Sequence, residues 1–214
     1  MVDFQSRDTR RDDPDEADPQ EPEQTPTDEP DEDRDEHHDE HEHDHHDHHH
    51  ADIESVGAGV VTVSSTRSLD DDPSGDAIAA AFEDAGHDVA TRELVGDEYD
   101  RVQSIVDRLV SREDVDVVVT TGGTGVTPDD VTVEAVRPLL EKELPGFGEL
   151  FRRLSYDEIG TRVVGTRAAA GVADGVPVFC LPGSENAARL GAEDVIVPEA
   201  GHLAGLAHED EDEE

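Results

Sequence analysis

Two valine-rich runs set the terms on which this chain can fold. Val56 to Val63 reads Val-Gly-Ala-Gly-Val-Val-Thr-Val, and Val115 to Thr120 reads Val-Asp-Val-Val-Val-Thr. Neither alternates polar with apolar residues, so neither suits a strand with one wet face. Both suit strands covered on two faces, as in a parallel sheet with helices on either side. The chain between them supplies the covering. Gly75 to Ala85 repeats Ile78, Ala81, Phe82 and Ala85 on one helical face, with Gly86 placed to end it. Val89 to Val95 reads as a second strand, and Arg101 to Arg112 sets Val102, Ile105, Val106, Leu109 and Val110 at helical spacing. Strands alternating with helices predict an α/β fold, a three-layer doubly wound architecture around a mostly parallel sheet.

The same reading extends to the end of the domain. Thr132 is expected to cap a helix from Val133 to Glu143, and Pro145-Gly146 to break it. A helix is expected over Phe147 to Ile159, and short strands over Arg162 to Thr166 and Val176 to Leu181. Closing helices are expected over Ala187 to Ile196 and Glu199 to Ala207, parted at Pro198. The domain is placed at 52–207.

The flanks cannot extend that core. Residues 1–50 hold almost no aliphatic side chains but 21 acidic residues, four arginines and nine of the twelve histidines. Such a segment buries too little apolar surface to offset the entropy of ordering it, so 1–51 is expected to be disordered, and 208–214 is read as an acidic C-terminal tail. The net charge is −41, and the acidic excess persists between the flanks. Lys142 is the only lysine, beside 15 arginines. A solvated acidic surface of this kind predicts a halophilic, haloarchaeal cytoplasm. It argues against a nucleic-acid partner, which needs a basic patch. No apolar run approaches a transmembrane length and no secretory signal opens the chain, so no membrane role is expected. Cys180, in Pro-Val-Phe-Cys-Leu, reads as a small core residue and not as a nucleophile. The interleaved histidines of His37 to His50 lack fixed ligand spacing and read as a solvated linker, with transition-metal binding as the alternative.

Ligands of open parallel sheets bind beyond the carboxyl ends of the strands, and three loops fall there. Thr121-Gly122-Gly123-Thr124-Gly125 follows the Val115 run, where glycines admit an anion and successive N–H groups can form a concavity. It has neither the Gly-Lys-Ser/Thr ending of a P-loop nor the Gly-x-Gly-x-x-Gly of a dinucleotide site. Asp129-Asp130 follows, where a carboxylate could hold Mg²⁺ against phosphate oxygens. Leu181-Pro182-Gly183-Ser184 offers a second backbone cradle, and Asp97-Glu98 a third candidate after the second strand.

These residues carry a resemblance. Thr120 to Gly125, Asp130-Val131-Thr132, Glu143 to Arg152 (Glu-Leu-Pro-Gly-Phe-Gly-Glu-Leu-Phe-Arg) and Leu181-Pro182-Gly183-Ser184 with Asn186-Ala187 resemble the MoaB/MogA family of molybdenum cofactor biosynthesis. The Leu-Pro-Gly-Phe-Gly-Glu-Leu-Phe run with Leu154 to Thr161 points to its MoaB branch. The resemblance implies a molybdopterin adenylyltransferase: molybdopterin and MgATP bound together, AMP transferred to the pterin phosphate, and pyrophosphate released. It further implies a homotrimer or homohexamer, and a metal-insertion protein downstream for molybdenum or tungsten. By match to the family motifs, Asp97 and Asp130 would carry catalysis and Mg²⁺. Thr121, Gly122, Gly123, Thr124 and Gly125 would cradle nucleotide and pterin, with Thr166, Arg167, Pro182, Gly183 and Ser184 completing the site. Four positions depart from the pattern. Ser65 stands for Asp, Asp129 for a basic residue, Thr166 for Ser, and Glu185 for Pro. Two alternatives accompany this reading: a family member that binds molybdopterin without catalysis, and a CinA-like nucleotide pyrophosphatase, which shares the fold and an Asp-Asp pair.

Overall fold

The valine runs become two neighbouring inner strands, β1 (Gly57–Val63) and β3 (Val117–Thr121), each buried at every position. The computed structural model describes residues 52–208, so the expected segment 1–51 and all of the expected tail 208–214 but His208 lie outside the described residues. The remaining strands are β2 (Asp88–Val95), β4 (Lys142–Glu143), β5 (Ala169–Ala173) and β6 (Val176–Leu181), in the sheet order β2-β1-β3-β6-β5-β4. The first four in that order are parallel; β5 pairs antiparallel with β6, and β4 antiparallel with β5.

Because side chains alternate along a strand, each valine run feeds two cores. Val56, Ala58, Val60, Val117 and Val119 face one side, which is covered by α1 (Pro73–Asp84), α4 (Pro145–Ile159), α5 (Glu185–Gly191) and α6 (Val197–His208). Val61, Val63 and Val118 face the other, under α2 (Tyr99–Val110) and α3 (Thr132–Val136). Phe82, Phe147, Phe151 and Phe179 anchor the first core, Phe147 meeting Phe179 edge-on at 5.1 Å. A fully buried side chain of this size contributes roughly 1.5–3 kcal/mol. The doubly wound, mostly parallel architecture expected from the sequence is therefore present. Among the described residues, no helix is long and apolar enough to cross a membrane.

Several local expectations are corrected. The strand expected over Arg162 to Thr166 is a 3-10 turn (Gly160–Gly165), and Val164, one of the valines that suggested it, is 85% exposed. The helix expected from Val133 to Glu143 stops at Val136. Pro138 lies in a following 3-10 turn, and the two-residue edge strand β4 comes next. Thr132 is not its cap: Val131 holds that position, and the Thr132 hydroxyl donates to the Gly122 carbonyl at 2.8 Å. Pro198 does not part the closing helices. A π turn at Ala192–Ile196 precedes it and joins α5 to α6, which supplies the room a proline ring needs where it would otherwise meet the carbonyl four residues back. The helix then runs to His208, one residue past the expected domain end.

Candidate functional site

Strands β1, β3 and β6 are neighbours, so the loops leaving their carboxyl ends converge. They form a cleft of about 420 Å³ lined by Val63, Ser64, Thr66 and Arg67 after β1, by Gly122 to Gly125 and Asp130 after β3, by Pro182 and Gly183 after β6, and by Gly165 and Thr166. The β3 and β6 loops are fastened together. Gly122 donates its N–H to the Leu181 carbonyl (3.0 Å), and the Thr121 hydroxyl donates to the Pro182 carbonyl (2.9 Å). Gly122 requires its glycine twice over, because its φ is +103° and a Cβ would overlap the Val63 carbonyl.

The orientation of the glycine loop follows from what holds its carbonyls. Gly122 C=O accepts from the Thr132 hydroxyl, Gly123 C=O from the Thr132 N–H (3.0 Å), Thr124 C=O from the Arg167 N–H (3.3 Å), and Gly125 C=O from Arg167 Nε (2.6 Å). In a planar trans peptide the next residue's N–H points the opposite way. The N–H groups of Gly123, Thr124, Gly125 and Val126 therefore face away from Thr132 and Arg167. The Gly125 N–H is engaged by the Asp130 carboxylate. Those of Gly123 and Thr124 have no protein acceptor among the described residues and lie on the cleft. Successive N–H groups turned to one side in this way are the kind of backbone array that can receive an anion.

Asp130 stands at its edge. Its Oδ2 accepts from the Thr127 N–H (2.7 Å) and hydroxyl (2.5 Å). Burial pushes its pKa up. The bonds from Thr127 and Gly125, with the Arg167 charge, outweigh that and hold the carboxyl below its usual value. It is thus an ionised oxygen donor at neutral pH.

A family model described as "Probable molybdopterin binding domain" matches residues 59–202. Molybdenum cofactor biosynthesis protein B of Halalkalibacterium halodurans is 45% identical over 145 residues, which is 67% of this chain and 85% of that protein. A crystal structure of a molybdenum cofactor biosynthesis protein B superposes with a TM-score of 0.70 at 44% identity, covering 72% of this chain and 96% of that one. The tungsten cofactor synthesizing protein MoaB from Pyrococcus furiosus gives 0.66 at 38%, covering 73% and 99%. The chain belongs to the MoaB/MogA family of molybdenum cofactor biosynthesis proteins.

Within this MoaB/MogA domain the sequence-predicted residues separate into groups. Gly122, Gly123, Thr124, Gly125, Asp130, Thr166, Pro182 and Gly183 meet at the cleft, and Thr121 ties its two main loops. Arg167 lies behind the glycine loop. Besides Gly125 and Thr124 it binds the Asp130 carbonyl (3.0 Å) and pairs with Glu134, whose carboxyl that bond lowers below its usual value. Ser184 caps α5 through the Ala187 N–H (3.3 Å) and lines a neighbouring depression with Phe151, Ser155 and Ile159. Asp97 is bound to the β1 loop, its Oδ2 accepting from the Ser65 N–H (2.8 Å) while its own N–H donates to Ser65 Oγ (3.2 Å); it is not among the residues lining the cleft. Asp129 is exposed and is not among the residues lining the cleft. Burial pushes the Cys180 thiol up to about 11, in keeping with a core residue.

Sequence reasoning missed Arg67 and Asp72. Among the described residues Arg67 is the one basic side chain lining the cleft, and Asp72, 1% exposed, is its partner at 3.3 Å. The segment Ser64 to Pro73 read as a plain polar loop. The available signal was the one used for the glycine loop: a position just past the carboxyl end of a central strand.

Proposed function

We propose that this MoaB/MogA domain adenylylates molybdopterin. The cleft takes MgATP and the pterin phosphate together; a phosphate oxygen of the pterin attacks the α-phosphorus, the bond to the β-phosphate oxygen breaks, and pyrophosphate leaves. The observation that carries this reading is the loop whose four carbonyls are bound from behind, which turns backbone N–H groups onto the cleft. Such a reaction gathers negative charge and asks the protein chiefly for positioning and fixed donors. The Gly123 and Thr124 amides, with the Thr124 hydroxyl beside them, supply these to phosphoryl oxygens.

The donor set suits Mg²⁺, which favours one or two carboxylates completed by substrate phosphates and water. Asp130, ionised and lining the cleft, would hold it together with the substrate phosphates and water. When bound, the ion neutralises charge on the phosphates. The exposed position of Asp129 favours turnover over binding alone, because its added negative charge is not placed in the cleft.

The test is to incubate the purified full chain with molybdopterin, ATP and Mg²⁺ in high KCl and to follow adenylylated pterin and pyrophosphate. Equimolar appearance of both is expected. Pterin binding without either product would leave a non-catalytic binding protein in its place.

A further inference from the structure

We propose that Arg67 is the phosphate-binding side chain of the cleft, taking a non-bridging oxygen of the nucleotide or pterin phosphate. The proposal deepens the adenylylation reading and rests on its premise that the cleft receives phosphate compounds.

Charge makes the need plain. The chain carries −41, and Arg67 and Asp130 are the charged side chains among those lining the cleft. Among the described residues, a polyphosphate entering there meets one lining cation, and the loop after β1 supplies it.

The geometry shows a guanidinium set in place before any ligand arrives. Nη1 of Arg67 donates to Asp72 Oδ1 (3.3 Å) and Ser74 Oγ (2.8 Å), and Nη2 donates to the Gly183 carbonyl (2.9 Å). Arginine has five N–H donors. Three are used, and among the described residues Nε–H and one Nη2–H have no acceptor. Donors left open on a fixed guanidinium can take a phosphate oxygen. Asp72 is held in turn by the Thr62 hydroxyl (2.6 Å), the Gly75 N–H (3.1 Å) and Arg92 (3.4 Å). One buried carboxylate is thus shared between two guanidiniums. Asp76, which offsets the surplus, does so at Arg92 (2.7 Å) and not at Arg67. The four charges sum to zero, but Asp76 sits at Arg92, so the Arg67 guanidinium faces the cleft with only a share of one carboxylate; its ordering is complete on folding, which lowers the cost of binding.

The experiment titrates the full chain, Arg67→Gln and Arg67→Lys with inorganic pyrophosphate, MgATP and adenosine by calorimetry at one KCl concentration, with a thermal scan of each variant. Arg67→Gln is expected to bind pyrophosphate and MgATP ~10- to 100-fold more weakly, the loss of a charge-assisted pair, and adenosine unchanged. Arg67→Lys keeps the charge and loses the fork, so it falls between; should the Gln variant not fold, it gives the answer alone. Pyrophosphate and MgATP affinities equal to wild type in whichever variant folds overturn the proposal, as does a wild-type chain that binds neither probe. Failure of the adenylylation reading looks different. Phosphate binding that depends on Arg67 without any adenylylated pterin removes the transfer reaction and keeps Arg67, whereas undiminished product from Arg67→Gln does the reverse.

Discussion

Replacing Gly122 with alanine isolates what the glycine loop demands of its backbone. Two glycines in this domain share a positive φ but differ in surroundings. Gly122 has φ +103° with the Val63 carbonyl against it, and Gly86 has φ +87° with nothing within 4 Å of a Cβ placed there. An L residue held at positive φ costs about 1–2 kcal/mol, and that term is common to Gly122→Ala and Gly86→Ala. Loss of unfolded-state freedom is also common to both. What differs is steric. Val63 ends β1, is buried, and pairs with Val95 of β2, so its carbonyl cannot retreat without disturbing a central strand. Overpacking against a rigid neighbour adds about 1–3 kcal/mol. For a domain of this size that corresponds to a thermal midpoint roughly 2–12 °C lower in Gly122→Ala than in Gly86→Ala. Thermal unfolding of the two variants side by side, in one buffer, reads this difference directly. Equal midpoints would refute the reasoning, because the loop would then be shown to move away from Val63 at no cost.

Two further perturbations address the cleft. Arg167→Met removes the guanidinium contacts to Gly125, Asp130 and Glu134 while keeping an unbranched side chain, so the glycine loop loses its backing. MgATP affinity should fall about 10-fold, the worth of a bond or two to a charged donor, and calorimetry showing wild-type affinity would argue that the loop holds its own shape. For Asp130, the lowered pKa fixes the sign of the pH effect. The carboxylate's bonds stabilise the fold above the unfolded pKa and are lost as pH falls through the folded one. The difference in thermal midpoint between wild type and Asp130→Asn should be constant from pH 8 to about 5 and shrink only below the ordinary carboxylate value near ~4; a difference that already shrinks between pH 7 and 5 would show a raised pKa instead.

The parts of the fold that were legible rest on local signals. Val56 to Val63 and the helix around Val102, Ile105, Val106 and Leu109 announce themselves by composition and period, and the glycine loop by its place after a central strand. What was missed depends on distant partners or on signals weaker than a valine run. Ala169–Ala173 has little β-propensity, yet Asp174-Gly175 at its end adopts φ +50° and +73°, the backbone of a tight two-residue hairpin turn, and that dipeptide was the available clue. Val163-Val164 suggested a strand where Val164 in fact meets water. Arg67 acquires its meaning from the Gly183 carbonyl, 116 residues away, and Arg167 from Gly125, 42 residues away. No window along the chain contains either pair.

That separation bears on when the concavity comes into being. Its walls arrive from the ends of β1, β3 and β6 and from the turn before β5, and its back is fastened by Arg167 and Thr132. Parallel neighbours close long loops before any contact rewards them, so although Thr132 holds part of the glycine loop locally, the complete cradle waits for Arg167 and for the loops after β1 and β6. The pocket is a product of the finished sheet, and a phosphate compound has nothing to grip until the strands have found their register. Ligand added to such a protein cannot guide its folding, but it can hold the completed state, and the stabilisation it confers, rising as RT ln(1 + [L]/Kd), is shared by every strand at once.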